Sequence, residues 1–145
     1  MARTVDIREM LDKITAFNNQ FLQVQKDILS RQKINASAIN LISIIGDETM
    51  TLKEVTSISE LDKSTISRQI NVLVKEGLVI REIGSDKRYS YFELTEEAKA
   101  IYRQYMDDFV KFVESALLGW SEQEKHMFTV LIGRANYSFS NALPK

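Results

Sequence analysis

Residues 51–77 read TLKEVTSISELDKSTISRQINVLVKEG, and the remaining architecture can be worked out from this stretch. Apolar residues recur at helical spacing on both sides of a short polar break. Asp62 follows the break, where its carboxylate can accept hydrogen bonds from the free N–H groups of a new helix. The pattern predicts a short helix near 51–58 and a second near 62–76, with Leu61 as an apolar plug in the tight turn between them.

The second predicted helix has two unlike sides. The apolar side should be buried and consists of Ile66, Ile70, Leu73 and Val74. The opposite side carries short hydroxyls, groups that can pair with base edges, and a cation suited to phosphates: Ser64, Thr65, Ser67, Arg68, Asn71 and Lys75. A merely solvated helix face is usually richer in strong helix formers such as Glu and Lys. We therefore interpret this side as the DNA-reading face of a helix-turn-helix.

A β-hairpin is predicted directly after this helix, over residues 78–94. The segments LVIREI and YSYFEL flank the turn GSDKR, and both are rich in β-branched or aromatic residues. The turn projects Lys87 and Arg88, which alone would be read as a solvated turn. Beside a reading helix they are predicted to contact the DNA backbone or minor groove. Asp86 should repel phosphate, so its expected role is structural, holding Arg88 in place.

Helical periodicity and capping signals extend the pattern to the rest of the chain. Capping boxes, with a hydroxyl at the cap and a carboxylate three residues on, begin at Thr51 and at Ser121. The predicted fold is mainly α with a small β-hairpin wing (α+β): a winged helix-turn-helix with terminal helical dimerisation arms. We expect one domain, 1–145, with a DNA-binding lobe at 35–94, arms at 4–31 and 95–143, and helices near 4–31, 35–45, 51–58, 62–76, Thr95–Leu118 and from Ser121 onward.

Composition excludes several classes of function. The net charge is −1, yet residues 61–88 carry six basic and four acidic side chains, so the positive excess is confined to the predicted reading segment. With no cysteine, a disulfide framework, a thiolate metal site and a thiol sensor are excluded. We find no phosphate loop, no nucleophile with a base partner and no metal cluster in the sequence, and expect neither an enzyme nor a cofactor. Without a signal peptide or membrane-length apolar run, we expect a cytoplasmic protein and no membrane partner.

The run from about Asn35 to Ala98 resembles the MarR family of bacterial regulators. The resemblance rests on LDKSTISRQINVLVKEGLVIRE, then DKR, then YFELTEEA, in that order, with helical arms on both sides. The chain departs from the family pattern at Glu60, where glycine is common in the turn, so that turn must tolerate a side chain. Two further departures are Lys87, where arginine is commoner, and Ala98, where glycine is frequent.

The resemblance implies a homodimer whose terminal helices interlock, so that two reading helices bind a palindromic operator on double-stranded DNA. It also implies a repressor released by a small aromatic or anionic effector. Seven aromatic residues of the arms could line an effector pocket: Phe17, Phe21, Tyr105, Phe109, Phe112, Trp120 and Tyr137. Aromatic residues at helical spacing are more often core, and we interpret most of the seven as core. The alternative function is a winged-helix protein–protein interaction module without specific DNA binding.

Overall fold

The computed structural model describes residues 3–86 and 88–144, and it confirms the predicted fold class. Its elements are α1 (Ile7–Gln32), α2 (Ala36–Ile45), β1 (Met50–Thr51), α3 (Leu52–Ser59), α4 (Lys63–Lys75), β2 (Val79–Ile83), β3 (Ser90–Leu94), α5 (Glu96–Ala116) and α6 (Glu122–Ala142). Each predicted helix and both strands of the hairpin occur within a few residues of the expected bounds. The strand β1 was not predicted, because two residues carry no periodic signal. No helix in the described part of the chain is both long and apolar enough to cross a bilayer.

Contacts divide the chain into two compact units, residues 1–109 and 110–145. The first contains α1 to β3 and the first part of α5. The second contains the end of α5 and all of α6. Within the second unit, the predicted capping box is present: the Ser121 hydroxyl accepts from the Glu124 N–H at 3.1 Å, and the Glu124 carboxylate accepts from the Ser121 N–H at 2.9 Å.

The sheet has the order β1-β3-β2, with both pairings antiparallel. Phe92 and Leu94 of β3 are buried, and they lie on one face because side chains alternate along a strand. Thr51 belongs to two elements at once. Its backbone pairs with Tyr91 of β3, and its hydroxyl accepts from the Glu54 N–H at 3.2 Å to begin α3. The sheet and the first helix of the helix-turn-helix are thus joined at one residue.

The core of the first unit forms around the inner stripe of α4. Ile66, Ile70 and Leu73 are each at most 1% exposed, as predicted. They pack in one cluster with buried residues of α2, α3, the sheet and α5, among them Ile42, Ile45, Val55, Phe92 and Ala98. Val74, the fourth residue predicted for this stripe, is only half-buried against the same cluster. Because this side of α4 packs into the core, the opposite side faces solvent.

Thr95 ties the end of the wing to the end of α4. Its hydroxyl donates to the Gly77 carbonyl at 2.9 Å and accepts from the Ala98 N–H at 3.2 Å, so it also caps the start of α5. Its N–H donates to the Leu78 carbonyl at 3.1 Å. Gly77 adopts φ 76°, which suits glycine at the end of a helix.

The aromatic residues of the arms do not form the core that we predicted for most of them. Tyr105 is buried and Phe109 is half-buried, and Tyr105 meets the Phe109 ring edge-on with 5.7 Å between centroids. The remaining five are between 38% and 71% exposed: Phe17, Phe21, Phe112, Trp120 and Tyr137. The prediction was wrong because a single chain offers these faces too little apolar surface to pack against.

The turn between α3 and α4 is closed by hydrogen bonds and a left-handed residue, and the predicted apolar plug is absent. Leu61 is 46% exposed, so its predicted plugging role was wrong. Its N–H donates to the Ser59 hydroxyl at 3.2 Å. Glu60 adopts φ 64° and ψ 5°, the left-handed region that a side chain occupies only with strain. The turn therefore accepts Glu60 in place of glycine at a cost in stability.

Glu60→Gly is expected to raise the free energy of unfolding. Relief of the left-handed strain outweighs the added entropy of the unfolded chain, for a net gain of about 0.5–1 kcal/mol. The matched control is Glu76→Gly, since Glu76 ends α4 with φ −81° and gains no relief. Urea unfolding should show the control to be less stable than the parent. Equal destabilisation by both substitutions would contradict the strain at Glu60.

Candidate nucleic-acid interface

The outward face of α4 carries all six side chains predicted for it. Ser64, Arg68, Asn71 and Lys75 are exposed, and Thr65 and Ser67 are half-buried. They lie on the helix whose other side is locked into the core, so they project from a fixed support. Lys75 also lies in the last turn of α4, where a cation stabilises the negative end of the helix dipole.

Asp62 caps α4, as predicted, and it also engages two residues of the reading face. Its carboxylate accepts from the Ser64 hydroxyl at 2.7 Å, from the Thr65 N–H at 2.8 Å and from the Thr65 hydroxyl at 3.0 Å. These hydrogen bonds lower the pKa of Asp62 from 3.8 to about 2. The carboxyl is therefore ionised at neutral pH. While it holds both hydroxyl hydrogens, Ser64 and Thr65 have only oxygen lone pairs left to offer a further partner, and the Thr65 oxygen accepts from Arg68 Nη2 at 3.5 Å.

Asn71 has a partner that the sequence did not reveal. Arg81, on the wing strand β2, donates from its guanidinium to the Asn71 side-chain oxygen. The central carbon of the Arg81 guanidinium, Cζ, lies 5.4 Å from the centroid of the Phe92 ring. Ten residues separate Asn71 from Arg81, and their contact depends on how β2 returns along α4. In the sequence, the only signal for this contact is the alternation of side chains along β2, which places Arg81 opposite Phe92.

At the wing tip, Asp86 and Arg88 form an exposed ion pair. The Asp86 carboxylate accepts from Arg88 Nη2 at 2.8 Å, Nε at 3.0 Å and backbone N–H at 3.1 Å. These bonds lower the pKa of Asp86 and raise that of Arg88. The Arg88 guanidinium also lies 5.8 Å from the Tyr89 ring centroid. Lys87, the other predicted contact of the tip, lies outside the described residues.

An open groove of about 620 Å³ runs between α3, α4 and the wing. Four basic residues line it: Lys53, Lys63, Arg81 and Arg88. Among its described lining residues none is acidic, and Ser67 of the reading face contributes to the wall. Lys53, Lys63 and Arg81 were not predicted, because each stands singly in the sequence and only the fold gathers them. The groove concentrates positive charge on a chain whose net charge is −1.

Comparison of the sequence with known proteins agrees with this geometry. Residues 25–88 match the model of the MarR family. Two Bacillus subtilis (strain 168) proteins are similar: the uncharacterized HTH-type transcriptional regulators YwoH, 34% identical over 57% of this chain and 60% of that protein, and YxaD, 36% identical over 61% and 62%. The HTH-type transcriptional repressor YetL of the same organism is 30% identical over 60% of this chain and 53% of its own. The chain thus spans about three fifths of these relatives.

Solved structures show the same fold. Streptococcus pneumoniae FabT in complex with DNA aligns with a TM-score of 0.84 and 20% identity, over 95% of this chain and all of that one (100%). A cysteine-to-serine mutant of MarR from E. coli, complexed with operator DNA, aligns with a TM-score of 0.71 and 21% identity, over 89% of this chain and 94% of that one.

The sequence relatives are transcription regulators, which agrees with the prediction that this chain is not an enzyme. Across residues 3–86 and 88–144, no group of three or more His, Cys, Asp or Glu side chains could hold a metal ion.

Proposed function

We propose that the chain is a member of the MarR family and that it acts as a sequence-specific DNA-binding transcription regulator. The observation that carries the proposal is the basic groove beside the outward face of α4, with no acidic residue among its described lining. A helix seated in the major groove reads bases through such a face, while flanking cations neutralise phosphates and fix its position. The DNA complexes of FabT and MarR, which share this fold, support the assignment.

The rival function is a protein–protein interaction module built on the same winged fold. Such a module buries an apolar or mixed patch, and charged residues are depleted from the centre of protein interfaces. The exposed side of α4 instead presents Arg68, Asn71 and Lys75 next to a cation-lined groove. This chemistry favours a phosphate-bearing partner over a protein surface.

We further propose that two copies act together on a palindromic operator. Helices α1 and α6 carry large apolar side chains that are exposed to solvent. Their exposed fractions are 58% for Leu11, 45% for Ile14, 49% for Leu22, 53% for Val130, 53% for Leu131 and 64% for Phe139. Faces of this kind are covered in stable proteins, and a second copy supplies the matching surface. Two reading helices about 34 Å apart then enter successive major grooves of a two-fold symmetric site.

Repression is the regulatory output that this architecture supports best. A dimer seated on its operator blocks access to the promoter without further contacts, and the relative YetL is named a repressor. Release would follow if a small aromatic or anionic effector bound better to dimers whose reading helices are wrongly spaced for DNA. We propose cytoplasmic action on chromosomal double-stranded DNA.

Arg68→Ala is expected to weaken operator binding by about 1–3 kcal/mol and to change the preferred bases, because an arginine at this position reads base edges. Lys75→Ala should weaken binding to all sequences alike and reduce the salt dependence. Gel-shift titrations of the two variants on cognate and random duplexes at several salt concentrations separate these effects. Unchanged affinity of Arg68→Ala for both duplexes would show that α4 is not the recognition helix. Absence of DNA binding by the parent at low salt would favour the protein–protein module.

The dimer is expected to be tight. Sedimentation at micromolar concentration should give about twice the chain mass of 16.7 kDa. Leu11→Asp should shift the equilibrium toward monomer, because a charge is costly in an apolar interface. Lys13→Glu, a charge change at an exposed position on the same helix, is the control. A parent protein that sediments as a monomer would contradict the palindrome proposal.

Asp86→Asn is expected to weaken DNA binding, although it removes a negative charge near phosphate. The reason is that the paired Arg88 is already ordered, and freeing it adds an entropy cost on binding. The effect should be small, since the pair is exposed, and Arg88→Ala should largely erase it. A double-mutant cycle on operator affinity at fixed salt measures this coupling. Tighter binding by Asp86→Asn, or full additivity with Arg88→Ala, would show that the residues act separately.

A further inference from the structure

The contact between Asn71 and Arg81 fixes which hydrogen-bonding groups α4 presents at this position. An arginine side chain has donors only, so the Asn71 atom that faces it must be the carbonyl oxygen Oδ1. The amide Nδ2, with its two donor hydrogens, then lies on the other side of the amide group. The orientation of this asparagine therefore follows from the chemistry of its partner.

Arg81 is itself held by a second neighbour, Phe92. It pairs across the sheet with Phe92, and its guanidinium carbon lies 5.4 Å from the Phe92 ring centroid. Phe92 is 4% exposed and belongs to the core cluster that also contains Ile70 of α4. A cation over an aromatic face is attracted to it, and this attraction keeps the guanidinium beside α4. Asn71 and Arg81 thus form a preassembled pair that joins the reading helix to the wing.

A free asparagine commonly pairs with adenine, donating to N7 and accepting from the N6 amino group. Here Oδ1 is engaged by a cation, and the positive charge repels the hydrogens of an approaching amino group. Oδ1 keeps a second lone pair, but the adjacent positive charge disfavours a donor there, whereas the Nδ2 hydrogens and the remaining guanidinium hydrogens of the pair are all donors. Guanine presents two acceptors, O6 and N7, in the major groove.

We propose that Asn71 and Arg81 act as one reading unit that selects guanine over adenine at the base pair facing Asn71. The inference rests on the proposed DNA-binding function and adds a specificity-determining base contact to it. Arg81 is the positioning residue: it sets the orientation and the acceptor capacity of the asparagine. Without Arg81, the amide is free to turn and to pair with adenine through both of its groups.

The test begins by selecting duplexes bound by the parent protein from a random pool. The position where Asn71→Ala loses its base preference identifies the base pair in question. Parent and variants are then titrated on two duplexes that differ only by guanine or adenine at that position. The parent should prefer guanine by about fivefold or more, the scale at which a good paired contact discriminates bases.

Arg81→Met removes the donors but keeps an unbranched stem to cover Phe92, so it should fold normally, as circular dichroism can verify. It should reverse or abolish the guanine preference, and the double variant with Asn71→Ala should match Asn71→Ala alone in base preference. The matched control is Lys75→Met, which removes one positive charge from α4 and should lower both affinities while leaving their ratio unchanged.

Two results would overturn the pair as a reading unit while leaving the DNA-binding function intact. One is an Arg81→Met protein with the parent's guanine-to-adenine ratio, as expected if Arg81 contacts only phosphate. The other is a parent that selects adenine at the position identified by Asn71→Ala. Failure of the parent to retain any duplex from the pool would instead reject the proposed function and this inference together.

Discussion

Burial of the inner stripe of α4 is the interaction on which the rest of the structure depends. Ile66, Ile70 and Leu73 are almost wholly removed from water, and each such side chain contributes about 1.5–3 kcal/mol of transfer free energy. The stripe meets α2, α3, the sheet and α5 in one cluster. Because one side of α4 is used in this way, the orientation of its other side is set by the same packing that stabilises the fold.

The surface beside α4 differs in charge from the rest of the molecule. The chain is slightly acidic overall, yet the groove beside α4 has basic residues and no described acidic one. Two carboxylates near the surface are occupied by neighbours of their own: Asp62 by Ser64 and Thr65, and Asp86 by Arg88. Their charges are partly compensated by these donors, which lets acidic residues stand close to a face that would meet phosphates.

Local signals in the sequence were sufficient for most of the fold. Helical period located the core stripe of α4, and the capping boxes at Thr51 and Ser121 located two helix starts to within one residue. The strand β1 escaped prediction because two residues have no period. The exposure of Leu61 and of five arm aromatics was missed because it depends on what surrounds them in space, and a single chain leaves those surfaces uncovered.

The site was predictable only in part, for a related reason. Residues that share one face of α4 are related by helical spacing alone, so Arg68, Asn71 and Lys75 could be named from the sequence. Asp62 was predicted as the cap of α4, but its hydrogen bonds from the Ser64 and Thr65 hydroxyls were not predicted. Arg81 reaches Asn71 through the register of β2 against β3 and the path of the wing past α4. No spacing rule along the chain contains that information.

The double use of Thr51 limits how this fold can change in length over evolution. One residue supplies the last ladder pair of β1 and the hydroxyl that begins α3. Inserting or deleting a residue between 50 and 54 would separate the two roles and turn α3 by about 100° relative to the sheet. The polar segment after Gly46 has no such double duty and can absorb length changes at low cost. Related chains should therefore vary in length just before β1 and keep a constant spacing from β1 into α3.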